Sequence, residues 1–247
     1  MSATPSLHTR LRSTEPLIGA WVQAADAAVV ASVAAAGFDY VVLDLQHGTG
    51  VESDVAGLSG IVAATGAAAV VRCRSGDYPD IGRPLDLGAA GVIIPCLRGE
   101  AEVRRAVAAC RYPPAGDRSR GQLVTPAGDA ACIVMVETAE ALAALPAILS
   151  IEGIDAIYVG PSDLSAALGL RNDLGAPEFE ATLRRIVDDC LAAGIPVGIH
   201  ATDVATAQVF LAWGCRLVTV FADVPAVNRE VARSLVEVRA SLACTGG

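Results

Sequence analysis

Several reactive side chains of this 247-residue chain fall where an apolar run stops. Asp44 and His47 follow Tyr40-Val41-Val42-Leu43, Arg72 follows Ala69-Val70-Val71, and Glu137 follows Cys132-Ile133-Val134-Met135-Val136. Asp163 comes behind the turn Gly160-Pro161-Ser162, and His200 closes Val197-Gly198-Ile199. A buried strand needs apolar residues on both faces, so its packing does not explain acids, imidazoles and a guanidinium at its exit. Glu137 and Asp163, without a neighbouring Cys or His pair, suit a hard cation such as Mg²⁺ or Mn²⁺ completed by water and substrate oxygens. A buried Arg72 demands anions, which those acids or a substrate carboxylate or enolate would supply. His47 is the natural general base, because an imidazole titrates near neutrality. Asp44 would orient it or hold water. Local roles stand beside these: Asp44, Glu137 and Asp163 can each cap or charge the start of a helix. His200 reads as a polar contact at the mouth of the fold, and His8 as part of a loose N-terminus.

What the chain lacks narrows the chemistry further. All 18 of its basic residues are arginine, so imine formation on a lysine and pyridoxal phosphate anchoring are excluded. Net charge is −9 with a pI near 4.8 and no basic run, which disfavours nucleic acid. The seven cysteines are spread without a CxxC, as small buried hydrophobes in a reducing cytoplasm would be. Mean hydropathy is high at +0.50, yet no apolar run approaches the ~18–20 residues that span a bilayer. MSATPSLHTRLRSTEP has no apolar core and does not read as a signal peptide.

The elements that must position these residues alternate eight times. Strands are expected at Leu17–Val22, Tyr40–Asp44, Ala69–Cys73, Gly91–Pro95, Ile133–Glu137, Ala156–Gly160, Val197–His200 and Leu217–Phe221. Helices are expected at Ala27–Ala36, Glu52–Thr65, Asp80–Gly88, Glu100–Cys110, Ala139–Leu149, Glu178–Ala193, Val204–Trp213 and Ala226–Leu242. Such alternation without hairpins implies a parallel sheet, and eight units in this length favour one (β/α)₈ barrel over residues 1–247, with 1–15 loose. The active site of that fold lies at the carboxyl ends of its strands, where the reactive residues collect. Arg111–Ala131 is a long connection of the kind that carries function. The last helix, with Val227, Val231, Leu235 and Val238 on one face, either closes the barrel or packs on a partner subunit.

GFDYVVLDLQHG, VVRCR, PLDLGAAGVIIP, ACRYPPAGDRSRG, VMVETAEAL and IEGIDAIYVGPSDLSAALG, in this order, resemble the HpcH/HpaI family of class II pyruvate aldolases. The resemblance runs from about Gly19 to Asp223. It implies a TIM barrel that forms helix-swapped dimers assembled into hexamers. It further implies that Glu137 and Asp163 bind a divalent metal (Mg²⁺, Mn²⁺ or Co²⁺) and that His47 is the base, supported by Asp44. Arg72 would polarise the keto oxygen and stabilise the enolate. Gly160, Ser162 and Asp163 would shape the pyruvate carboxylate site, through the backbone N–H groups of Ser162 and Asp163. Asp86, in PLDLGA, would lie in the surrounding shell near metal-bound water, as would Gln46. The implied reaction is retro-aldol cleavage of a 2-oxo-4-hydroxy acid to pyruvate, or a related 2-oxo acid, and an aldehyde.

Three departures stand out. Gln46 occupies a place where many family members carry Glu, Met135 one where Gln is common, and the loop after RYPPAGDRSRG is short for the family. Donor chemistry therefore transfers better than acceptor specificity, for which Arg118 and Arg120 are candidates to meet a distal carboxylate or sulfonate. A citrate-lyase-like acyl-CoA lyase on the same barrel is the rival enzyme, ranked lower because the chain has no basic patch for a nucleotide. A barrel that binds a keto acid or metal without turnover is the rival outside catalysis.

Overall fold

In a computed structural model, which describes residues 5–121 and 129–245, eight strands close into one parallel barrel in the order β1 to β8. They are β1 (Leu17–Val22), β2 (Tyr40–Asp44), β3 (Ala68–Arg72), β4 (Gly91–Ile94), β5 (Ala131–Val136), β6 (Ala156–Val159), β7 (Val197–His200) and β8 (Leu217–Ala222). The helices are α1 (Leu7–Leu11), α2 (Ala27–Ala34), α3 (Val55–Ala63), α4 (Tyr78–Asp86), α5 (Glu100–Cys110), α6 (Ala139–Ala143), α7 (Leu145–Leu149), α8 (Pro161–Ala167), α9 (Pro177–Ala192), α10 (Val204–Ala212) and α11 (Asp223–Thr245). The expected helix over Ala139–Leu149 is two, α6 and α7, with Pro146 in the first turn of the second, because proline lacks the N–H that would continue the first. The start of the chain, expected to lie loose, carries α1, whose Leu7 and Leu11 are both 2% exposed. Of the connection Arg111–Ala131, residues 122–128 lie outside the described residues.

Alternation along each strand separates two cores. One set of side chains packs outward against the helices: Val41, Leu43, Val71, Ile94, Val134, Ile157 and Ile199 belong to it. The other fills the barrel: Leu17, Trp21, Tyr40, Val42, Val70, Ile133, Met135, Ala156 and Tyr158, with Leu7 and Leu11 of α1 packed into the same cluster. Two glycines make room for the largest of these. A Cβ at Gly19 would lie 2.1 Å from the Tyr40 ring, and one at Gly198 2.8 Å from the Tyr158 ring. Both tyrosine hydroxyls bond Thr219 Oγ1, at 2.9 Å for Tyr40 and 2.7 Å for Tyr158. Thr219 is fully buried, so this shared bond satisfies three hydroxyl groups that would otherwise be costly in the barrel interior.

Candidate active site

Continuing the inward alternation by one step past the apolar core yields the site. Asp44 comes two residues after Val42, Arg72 two after Val70, Glu137 two after Met135, Gly160 two after Tyr158, and His200 two after Gly198. Trp21 occupies the equivalent level on β1. Strand register sets Asp44 beside Arg72, and Arg72 donates through Nε to Asp44 Oδ1 at 2.9 Å and through Nη2 to Oδ2 at 2.5 Å. Both residues are buried, at 3% and 6% exposure, and the fork geometry makes this the strong form of an ion pair. Trp21 Nε1 donates to the same Asp44 oxygen Oδ2 at 3.0 Å, and its ring lies 4.9 Å beneath the guanidinium carbon. Burial works against the Asp44 charge, but Arg72, Trp21 and the His47 N–H together hold its carboxyl below the ordinary aspartate value.

The support that Asp44 gives His47 runs through the backbone. Asp44 Oδ1 accepts from the N–H groups of Gln46 at 3.0 Å and His47 at 3.1 Å, which folds the loop back and fixes where the imidazole starts. Gly48 permits this turn, since a Cβ there would meet the Asp44 carbonyl oxygen at 2.1 Å. Gln46 sends its Nε2 to Cys96 Sγ at 3.3 Å. The Cys96 N–H donates to Glu137 Oε1 at 2.6 Å, from a left-handed backbone with φ 59° that a non-glycine residue adopts at some cost. A link thus runs from the DLQHG turn across to Glu137. No sequence pattern announces it, because it depends on one left-handed residue.

Glu137 is 3% exposed. One carboxylate oxygen is engaged by Cys96, while Oε2 is buried without a hydrogen-bond partner. It sits against Gly160, where a Cβ would come within 2.7 Å of it. Burial, and after it the charge of Asp163, raise the Glu137 carboxyl above its usual value, with the Cys96 N–H and Arg72 opposing. An orphaned, desolvated carboxylate oxygen beside a second acid fits a divalent cation. Among the described residues no group of three or more His, Cys, Asp or Glu forms a cage. A cation held by Glu137 and Asp163 would therefore keep positions for water and substrate, as hard ions in catalytic sites do.

A cavity of about 270 Å³ opens above this layer, and His47, Arg72, Met135, Gly160, Asp163 and His200 are among its lining residues. Ser162 also lines it, at the start of α8. Pro161 has no N–H to lose, and the N–H groups of Ser162 and Asp163 belong to a first turn with no carbonyl behind it. Asp86 ends α4 and pairs with Arg118 at 2.7 Å. Arg118 is buried in that pairing and stacks on Tyr112, while Arg120 lies over the same ring at 5.2 Å. The two arginines expected to meet a distal acid are thus held by Asp86 and Tyr112. Cys96 departs from the expectation of buried cysteines, being exposed, whereas Cys73, Cys110, Cys132, Cys190 and Cys215 are buried and free.

Comparison with known proteins follows the same lines. The family described as HpcH/HpaI aldolase/citrate lyase matches residues 17–228. A hydroxypyruvate/pyruvate aldolase of Pseudomonas aeruginosa is 34% identical over 236 residues, covering 90% of this chain and 88% of its own. A 2-keto-3-deoxy-L-rhamnonate aldolase of Escherichia coli K12 is 34% identical over 228 residues, with 87% and 85% covered. The crystal structure of an HpcH/HpaI aldolase/citrate lyase family protein from Burkholderia cenocepacia J2315 superimposes with a TM-score of 0.86 at 32% identity, covering 94% of this chain and 98% of that one.

Proposed function

The chain belongs to the HpcH/HpaI aldolase/citrate lyase family, and from that membership we propose that its pocket reversibly cleaves a 2-oxo-4-hydroxy acid to pyruvate, or a related 2-oxo acid, and an aldehyde. It is a carbon–carbon lyase of the class II aldolase type. The observation that carries the site assignment is the unpartnered Oε2 of Glu137, buried beside Gly160 and under the charge of Asp163. Glu137 and Asp163 would hold a divalent cation, which when bound would supply Lewis-acid stabilisation of negative charge on the keto oxygen.

The remaining work falls to groups already in place. Arg72 spends Nε and one N–H of Nη2 on Asp44, which leaves Nη1 to donate to the 2-oxo oxygen as it gains charge. Because Asp44 and Trp21 fix the guanidinium beforehand, no reorganisation is needed as that charge grows. The first-turn N–H groups of Ser162 and Asp163 receive the substrate carboxylate. His47 takes the proton from the C4 hydroxyl as the C3–C4 bond breaks, and returns one in the addition direction. With no lysine in the chain, enolate stabilisation rather than an imine is the available route.

A second copy of the chain completes the particle. Val224, Val227, Val231, Leu235 and Val238 of α11 are between 41% and 62% exposed and recur at spacings of three and four, the stripe that a second helix packs against.

The function is tested without knowing the aldehyde. In D₂O the protein should exchange the methyl protons of pyruvate when Mg²⁺, Mn²⁺ or Co²⁺ is present, lose that exchange in EDTA and recover it on adding the cation back. Exchange that persists in EDTA, or none with any of these ions, would be incompatible with the proposal.

A further inference from the structure

We propose that His200 is a specificity-determining residue whose imidazole hydrogen-bonds the aldehyde half of the substrate, selecting an uncharged, hydroxylated aldehyde over an acidic or purely aliphatic one. This rests on the aldolase reading above and extends it to the acceptor. His200 ends β7 and lines the cavity. Its ring stands edge-on to Trp21, with centroids 6.3 Å apart, so the indole that underlies Arg72 also braces the imidazole. Among the described residues no side chain or backbone group hydrogen-bonds to that ring, which is half-buried. A half-buried imidazole held by packing, with free nitrogens in the pocket, is arranged to meet a ligand.

The chemistry of the ligand follows from what surrounds the ring. Burial, and after it the Arg72 charge, push the imidazole down to about 4, so near neutral pH it is uncharged. A neutral imidazole offers one donor and one acceptor, which matches a hydroxyl and serves a carboxylate poorly. Gln23, Ser162, Asn172 and Thr202, which line the same cavity, are uncharged as well. Among the described lining residues the guanidinium is that of Arg72, and Asp44 already balances it. Arg118 is paired with Asp86. A second carboxylate on the aldehyde would therefore lose water without gaining a counter-charge, which is costly. A hydroxyl loses less and gains a bond.

The test separates the two halves of the reaction. Pyruvate methyl exchange with Mn²⁺ reports the donor half and needs no aldehyde. The second measurement is the ratio of kcat/KM for addition of pyruvate to glycolaldehyde over that for acetaldehyde, which differ by one hydroxyl, with succinic semialdehyde as the acidic probe. A ratio cancels any general loss of activity. The wild-type ratio should be about tenfold, as one net hydrogen bond of roughly 1.4 kcal/mol predicts, with the semialdehyde below glycolaldehyde. His200→Leu, and His200→Phe, which keeps a ring against Trp21, should bring the ratio to within about twofold of unity. His200→Asn should retain most of it. An unchanged ratio in the Leu and Phe variants, a ratio lost equally in the Asn variant, or a wild type that prefers the semialdehyde would overturn the proposal. Absence of exchange in the wild type would instead bring down the aldolase reading, and this inference with it.

Discussion

Asp44 and Arg72 show how much of the site rests on a single contact. Removing one member of a buried pair leaves the other charge uncompensated, which costs about 3–5 kcal/mol. Asp44→Asn keeps the size of the side chain but leaves the Arg72 guanidinium unbalanced between Trp21 and the cavity. We expect it to lower stability by about 3 kcal/mol in urea melts at pH 7 and to slow pyruvate exchange by about a hundredfold or more, through misplacement of Arg72. The pH dependence has a definite sign. The folded value of Asp44 lies below its ordinary value, so its stabilisation is complete above the unfolded aspartate pKa of about 3.9 and is lost as pH falls through the folded value. The stability gap between wild type and variant should be flat from pH 8 to pH 5 and shrink only in more acid solution. A gap that closes between pH 7 and pH 5 would contradict the assignment.

At the scale of elements, the strands were legible in the sequence because buried parallel strands are near-continuous apolar runs, and their observed limits lie within two residues of those expected. The ends of those runs also exposed Asp44, Arg72, Glu137 and His200. Trp21 and Tyr158 escaped notice as pocket residues, since an apolar side chain at the top of a barrel strand looks like any core residue. Their signal was the two-residue alternation that puts them level with, or one step below, the charged layer. The Gln46–Cys96–Glu137 link was not legible at all, for the turn at Cys96 has no glycine to mark it. The surroundings of Arg118 and Arg120 were not legible either: a charge count cannot reveal that Asp86 pairs with Arg118 and that Tyr112 lies under both guanidinium groups. Gly160 gives this level its experiment. Its φ of −94° is open to any residue, so Gly160→Ala acts through space alone, with the new Cβ 2.7 Å from Glu137 Oε2 and 3.0 Å from Met135 Cε. We expect a loss of about 1–3 kcal/mol from overpacking and cation affinity lower by about ten- to a hundredfold. The measurement is the rise in melting temperature on adding Mn²⁺, which should be smaller at each concentration than in wild type. An equal rise would show that Oε2 does not meet the ion.

For the whole molecule, the two ends of the chain behave differently. The first described helix, α1, sinks its leucines into the barrel, while the last, α11, leaves a stripe of valines and Leu235 facing outward. If a second copy covers that stripe, Val231→Glu with Leu235→Arg should convert the assembly to monomers in sedimentation velocity while leaving the barrel folded by circular dichroism. An unaltered sedimentation coefficient would show that α11 does not make the contact.

The shared hydroxyl bond of Tyr40, Tyr158 and Thr219 has a consequence for how such a protein can change over time. It closes the barrel midway, with Gly19 and Gly198 cut to fit the two rings. Below it, Leu7, Leu11 and Leu17 contribute apolar burial; above it, charged and imidazole groups line the cavity. Side chains well separated and without shared partners act nearly additively, so the rim can accumulate substitutions that retune the substrate without drawing on the leucine plug. Trp21, packed on both Tyr158 and His200, is where the rim and this layer meet, so the positions free to vary are those that touch neither Trp21 nor the Asp44–Arg72 pair.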